Sequence, residues 1–198
     1  MLDKKLTKRL TSVKDFRRYV TDAVRDFSAM RQGLKSGLVT PALRDKIMLA
    51  VTEVNGCRYC SYMHAKNAIK SGIQESEIEA LLSGDLSNAT TDEATALLFA
   101  QHYAETLGKL DQQTLDNLFA VYGEDKGRGI LATTRAIMVG NVHGIAIDLL
   151  QARLRGKKDP ESSIATEAAI AFGVLVFLPA ALLKKLFGLQ SPDMLMQN

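Results

Sequence analysis

The chain has 198 residues, of which 46% are hydrophobic and 24% are charged. This length suits a single domain, and the ordinary apolar fraction excludes an intrinsically disordered protein. Lys and Arg number 25 and Asp and Glu 22, so the net charge of +3 gives no signal for nucleic-acid binding. Residues 1–40 hold ten basic and four acidic side chains, and we interpret this basic arm as a solvated helix face.

Apolar residues recur at spacings of three and four along almost the whole chain, which predicts an all-α fold. Capping residues, glycine and proline divide this pattern into separate helices. The predicted helices cover residues 12–30, 41–55, 57–72, 77–82, 91–107, 111–122, 128–155 and 164–183. Within the long helix, Gly140 and Gly144 are expected to permit either the close approach of another helix or a kink.

A polar linker is predicted at residues 156–161, where Lys, Asp, Pro and Gly cluster. It divides the chain into a helical domain of residues 1–156 and an apolar segment of residues 157–198. The stretch from Ile164 to Leu183 has Glu167 as its only charge and is long enough to cross a membrane. We favour a helix that packs on the domain or contacts another subunit, with membrane association as the alternative.

The two cysteines of the chain, Cys57 and Cys60, are separated by two residues, and His64 follows four residues later. If Cys57 begins a helix, all three side chains lie on one face. The partial positive charge of a helix N-terminus favours thiolate over thiol. This pattern is typical of dithiol redox chemistry, in which one thiolate is oxidised and the second thiol closes a disulfide.

His64 is the candidate base that takes a proton from Cys60. Two carboxylates are candidates for orienting it: Glu53, four residues before Cys57, and Asp45, twelve residues before it. The sequence alone does not choose between these two acids.

Metal binding and burial are the alternatives for the cysteine pair. Zinc would need a fourth ligand from His143 or Asp45, and zinc knuckles usually pair two such clusters, so we predict no metal and no bound cofactor. A lone cysteine is often a small buried hydrophobe, but a pair in register with His64 favours chemistry. His143 lies between two glycines, and we interpret it as a packing residue.

The segment around the cysteines resembles the alkylhydroperoxidase D-like, carboxymuconolactone decarboxylase superfamily. Redox members of that superfamily carry Cys-x-x-Cys-x-x-x-His after an Asn-Gly turn, and this chain has the same pattern from Asn55 to His64. They also carry an acidic residue twelve positions before the first cysteine, where this chain has Asp45 in place of the usual Glu. A family histidine just before the second cysteine is replaced here by Tyr59.

The resemblance implies an all-α fold in which Cys60 attacks, Cys57 resolves and His64 relays protons. It implies a thiol-dependent peroxidase or disulfide oxidoreductase of antioxidant defence, active as a trimer or hexamer. An external dithiol, on a thioredoxin-like or lipoyl protein, would reduce it.

Two alternatives to this redox function stay open. Decarboxylase members of the superfamily lack the cysteine pair, so the resemblance favours the redox branch over decarboxylation. A cofactor-free lyase is the first alternative, and a non-enzymatic redox-sensing oligomer is the second. No apolar segment follows the basic residues at the start of the chain, so no secretory signal is predicted, and a cytoplasmic location is expected.

Overall fold

The computed structural model describes residues 10–189, and within that range it contains helices, turns and loops but no strand. The all-α prediction is therefore confirmed. The helices are α1 (Val13–Ser36), α2 (Pro41–Asn55), α3 (Arg58–Lys70), α4 (Glu75–Leu82), α5 (Thr91–Glu105), α6 (Gln112–Leu154) and α7 (Ile164–Leu186).

Side-chain caps begin several helices where the sequence predicted them. The Thr40 hydroxyl accepts a hydrogen bond from the backbone N–H of Leu43 at 3.1 Å, and Pro41 occupies the first turn of α2. Thr90 and Glu93 form a capping box at the start of α5. These local bonds satisfy N–H groups that have no partner within the helix, so they fix the helix start independently of packing.

Several predicted helix boundaries were wrong. Helix α1 continues to Ser36 instead of ending at Met30, because packing of Gly33 against Gly129 of α6 supports two more polar turns. The predicted gap at residues 123–127 shrinks to a single non-helical residue, Gly123, after which α6 resumes at once. Smaller differences affect four further helices: α3 covers residues 58–70, α4 begins at residue 75, α5 ends at residue 105 and α7 extends to residue 186.

Helix α6 is the central element, and α1, α2, α3, α5 and α7 all pack against it. Most of its inward side chains are apolar and fully or almost fully buried; they include Ile130, Met138, Val142, Ile145 and Ala146. Helices α2 and α3 form a hairpin whose turn contains Gly56 at a φ of 71°, a conformation that glycine adopts without strain. The hairpin presents the first turn of α3 to α6.

A buried cation ties α2 to its neighbours α4 and α5. The Lys46 ammonium lies 2.6 Å from the Glu77 carboxylate and 2.8 Å from that of Glu93. Two carboxylates around one lysine compensate for its burial.

Helix α7 packs against α1 and α6 along one side, through residues that include Ile170, Gly173 and Ala181. Near its start, fully buried Glu167 accepts hydrogen bonds from Arg153 Nε at 2.8 Å and Nη2 at 2.6 Å. By length and composition alone, α6 and α7 each pass the test for a membrane-spanning helix. The apolar stretch of α6 is mostly buried in the core, whereas only 22% of the corresponding stretch of α7 is buried.

Candidate functional site

The two cysteines are joined in a disulfide at the start of α3. Cys57 is the N-cap residue and Cys60 lies in the first turn, with 5.3 Å between their Cα atoms. A helical first turn brings the two side chains together, since residues three apart lie on neighbouring parts of one face. The disulfide therefore follows from the local structure of α3, as the sequence predicted.

Helix α6 encloses the disulfide from the other side. Cys57 is 1% exposed and Cys60 is 9% exposed, and both pack with Ile145 and Leu149. At Gly144 the helix backbone faces the sulfurs so closely that a Cβ atom there would lie 2.9 Å from Cys57 Sγ and 3.2 Å from Cys60 Sγ. The absence of a side chain at Gly144 thus allows α3 and α6 to approach closely at the disulfide, which is one of the two alternatives expected from the sequence.

The start of α3 is electrostatically suited to hold negative charge on sulfur. The backbone N–H of Cys60 points at Cys57 Sγ, with the nitrogen 3.4 Å from the sulfur. Arg58, the first residue of the helix, is paired with Asp148 of α6 at 3.1 Å. Helix N–H groups directed at a sulfur lower the pKa of a cysteine thiol.

Cys60 is the more exposed residue of the pair. Its Sγ lies 3.7 Å from the carbonyl oxygen of Gly140. Around the same turn of α3, the side chains of Tyr59, Tyr62 and Met63 are 50%, 71% and 58% exposed. The exposed surface of this turn is therefore rich in aromatic and thioether groups.

His64 lies one turn after Cys60 on α3 and is half-buried. Its buried Nδ1 atom makes no hydrogen bond with any described residue. Burial lowers the pKa of His64, which outweighs the rise due to the negative charge of Asp45; the Arg44 cation lowers it further. The imidazole is consequently neutral near pH 7 and able to accept a proton.

The two candidate carboxylates have different surroundings. Asp45 is 1% exposed, and it accepts hydrogen bonds from the Ser71 hydroxyl at 2.5 Å and from Arg44 Nε at 2.8 Å. Its charge acts on His64, although no hydrogen bond joins it to the buried Nδ1 of that ring. The Glu53 carboxylate instead lies beside Gly84, where a Cβ atom would be 3.6 Å from it. Of the two, Asp45 is the one electrostatically linked to the imidazole.

A second polar cluster that the sequence did not assign to the site lies between α2 and α6. The hydroxyl of buried Thr52 donates to Asn141 Oδ1 at 3.1 Å, while Asn141 Nδ2 is buried without a partner among the described residues. Nearby, Asn55 Nδ2 lies 3.2 Å from the sulfur of Met138. These contacts hold the hairpin turn before Cys57 against α6. No signal in the sequence indicated this cluster, because it is recognised by the burial of its polar residues, which only the structure shows.

The hydrogen bond and the ring contact of His143 are with α7 and α1 and not with the two sulfurs. Its Nε2 is 3.0 Å from the carbonyl oxygen of Ala171 in α7, and its ring stacks on Phe16 of α1 at 6.4 Å between centroids. These contacts match the packing interpretation. Within residues 10–189, no group of three or more His, Cys, Asp or Glu side chains is arranged to hold a metal ion.

Residues 21–102 match the model of the carboxymuconolactone decarboxylase family. The match begins in α1, ends in α5 and includes both cysteines, His64 and the two candidate carboxylates. This part of the chain is therefore similar to that family, which lies within the alkylhydroperoxidase D-like superfamily and includes enzymes. No curated protein and no solved structure matches the chain.

Proposed function

We propose that the protein is a thiol-dependent peroxidase or disulfide oxidoreductase that cycles Cys57 and Cys60 between dithiol and disulfide. The observation that carries this proposal is the disulfide at the N-terminus of α3, with a neutral imidazole one turn further along the same helix. A purely structural role explains the geometry less well, because a bridge between residues three apart closes too short a loop to constrain the unfolded chain appreciably.

In the proposed cycle, His64 takes the proton of the Cys60 thiol, and the thiolate attacks the outer oxygen of a hydroperoxide. The O–O bond breaks, the sulfur keeps a hydroxyl group as sulfenic acid, and the departing alkoxide receives the proton from His64 as an alcohol. The Cys57 thiol then displaces this hydroxyl group as water and forms the disulfide. The sulfur pair has lost two electrons and the peroxide has gained them.

An external dithiol restores the protein by thiol–disulfide exchange. Its first thiolate attacks one sulfur of the disulfide and forms a mixed disulfide with the protein. Its second thiol then attacks the reductant's own sulfur in that bond, which frees the protein thiol and leaves the reductant as a disulfide. The proposed reductant is the dithiol of a thioredoxin-like or lipoyl protein. Assembly into a homo-oligomer and a cytoplasmic site of action belong to the same proposal.

Thiol counting tests the cycle directly. The fully reduced protein is expected to lose both thiols on adding one equivalent of hydroperoxide, and to recover both with excess dithiol. The Cys57→Ser variant is expected to stop at the Cys60 sulfenic acid, which a sulfenic-acid reagent captures. The Cys60→Ser variant serves as the matched control, since it is expected to keep its Cys57 thiol at the same peroxide dose.

Two outcomes would contradict the proposal: loss of thiols only on the timescale seen with a small model dithiol, or equal peroxide sensitivity of the two single variants. The first would show that the protein does not activate its thiols. The second would show that Cys60 has no special role.

A cofactor-free lyase is a second candidate, favoured by the family description and by the electrostatic link between Asp45 and His64, which needs no sulfur. A double Cys57→Ser, Cys60→Ser variant distinguishes the two functions. Turnover of a lactone carboxylic acid that survives this double substitution, but not His64→Gln, would establish the lyase.

A further inference from the structure

The outward side of α7 is a continuous apolar surface. Six large side chains, which we name the α7 face, are between 51% and 77% exposed. They are Phe172, Leu175, Val176, Leu182, Leu183 and Leu186. Their spacing of three, four and seven residues places them along one side of the helix. An exposed apolar surface of this extent marks a contact site, because soluble monomers rarely expose one without a partner.

The charged groups exposed on the neighbouring helix α1 are all cations. Lys14, Arg17, Arg31 and Lys35 are exposed. The acidic residues of α1 are half-buried and paired with arginine: Asp15 with Arg18, Asp22 with Arg25, and Asp26 with Arg25 and Arg135. The negative charges of α1 are therefore neutralised, while its free surface is positive.

Part of this positive surface borders the C-terminal end of the α7 face. Arg31 and Lys35 line a groove together with exposed Phe27 and with Lys185 of α7. Lys185 itself donates to the carbonyl oxygens of Val24 and Arg25 at 2.8 and 2.9 Å, which fixes α7 against α1. Cations thus surround one end of the apolar surface.

The loop before the other end of α7 carries a small excess of positive charge. Arg155, Lys157 and Lys158 are exposed there, against exposed Glu161 and half-buried Asp159. An apolar helix surface with cations at both ends is complementary to a lipid surface, where the side chains enter the acyl boundary and the cations meet anionic headgroups.

We propose that the protein binds an anionic lipid surface through the α7 face, with Arg31 and Lys35 contacting the headgroups. A second copy of the chain fits less well. Cations are in excess at both ends of the face, so a second copy docked in either orientation would place like charges opposite one another. This lipid binding does not depend on the proposed redox activity.

Co-sedimentation of the full chain with lipid vesicles tests the proposal. Binding is expected to vesicles of phosphatidylcholine and phosphatidylglycerol in about a 7:3 ratio, and to weaken with added salt. Each cation near the surface strengthens binding about fivefold, so Arg31→Gln and Lys35→Gln together should weaken it about 25-fold. Lys66→Gln with Lys70→Gln, on exposed positions of α3, is the matched charge control and should change binding little.

A second variant tests the apolar contribution. Leu175→Gln, Leu182→Gln and Leu186→Gln should abolish sedimentation with vesicles while helical circular dichroism is unchanged, because all three side chains are exposed. Leu98→Gln in α5, at 57% exposure, is the matched control. Failure of the unaltered chain to bind overturns the proposal, as does equal binding to pure phosphatidylcholine. Dissociation of a soluble oligomer by the triple leucine variant, without vesicle binding by the original chain, would identify the face as a contact between copies.

Discussion

Replacing Gly144 with alanine should destabilise the oxidised protein, because the new methyl group has no space beside the disulfide. Its Cβ atom would lie 2.9 Å from Cys57 Sγ and 3.2 Å from Cys60 Sγ. Neither sulfur can rotate away while each is bonded to the other. Overpacking of this kind costs about 1–3 kcal/mol, whereas alanine gains roughly 1 kcal/mol over glycine in helix propensity. We expect a net free-energy loss of up to about 2 kcal/mol for the Gly144→Ala variant.

Gly140→Ala is the matched control, since it lies one turn earlier on the same helix. There the new Cβ would meet only Ile137 Cδ1, at an ordinary contact distance of 3.8 Å. The Gly140→Ala variant should therefore gain the higher helix propensity of alanine without a steric clash. The difference in unfolding free energy between the two variants should be about 1–3 kcal/mol. In thermal unfolding this corresponds to about 2–4 °C for each kcal/mol at this chain length.

Urea and thermal unfolding of both variants, oxidised and reduced, is the assay. Reduction should decrease the difference in unfolding free energy between the two variants, because the free thiols can rotate away from the added methyl group. Equal stability of the two variants in the oxidised state would refute the close packing of α6 on the disulfide.

Two further predictions follow from the lowered pKa values of His64 and Glu167. Burial holds the pKa of His64 below its usual range, so stopped-flow rates of sulfenic-acid formation should stay constant from pH 7 to below about 6.5 and then fall as the ring is protonated. The His64→Gln variant should be slow and lack this acid limb; an unchanged limb would assign it to another group. The hydrogen bond from Arg153 holds the pKa of Glu167 below its ordinary value. That pair should therefore stabilise the protein above the ordinary carboxyl pKa and lose its contribution as pH falls through the lowered one. The difference in melting temperature between the original chain and Glu167→Gln should then be larger at neutral pH than near about pH 3; a constant difference would contradict this linkage.

Local sequence signals predicted much of the fold and the centre of the candidate site. The caps at Thr40 and Thr90 are formed by side chains within three residues of the helix start, so no knowledge of the tertiary structure was needed. The same holds for Cys57 and Cys60, whose separation by one turn places the sulfurs together in any helix that begins at Cys57.

Other features depend on contacts between distant parts of the chain, which one sequence does not show. Glu53 and Asp45 were equivalent candidates until the packing of the helices placed one beside Gly84 and the other near His64. The continuation of α1 past Met30 likewise required the contact with α6. Hydrophobicity predicted α7 as a helix, but not which of its sides would remain exposed, because nearly all its residues are apolar.

Cys57 and Cys60 differ in exposure, and this difference affects both the oxidation and the reduction of the pair in the proposed cycle. A reductant must reach the sulfur that it attacks, and Cys60 is the more exposed, so Cys57 becomes the leaving group. A thiol with a lower pKa leaves faster, and the N–H group of Cys60 directed at Cys57 Sγ stabilises the thiolate that departs. In the proposed cycle, peroxide and reductant would then both react at Cys60, while Cys57, at 1% exposure, would exchange bonds only with its neighbour. The close approach of α6 at Gly144 would thereby shield Cys57 from direct oxidation, which is the step that would remove it from the cycle.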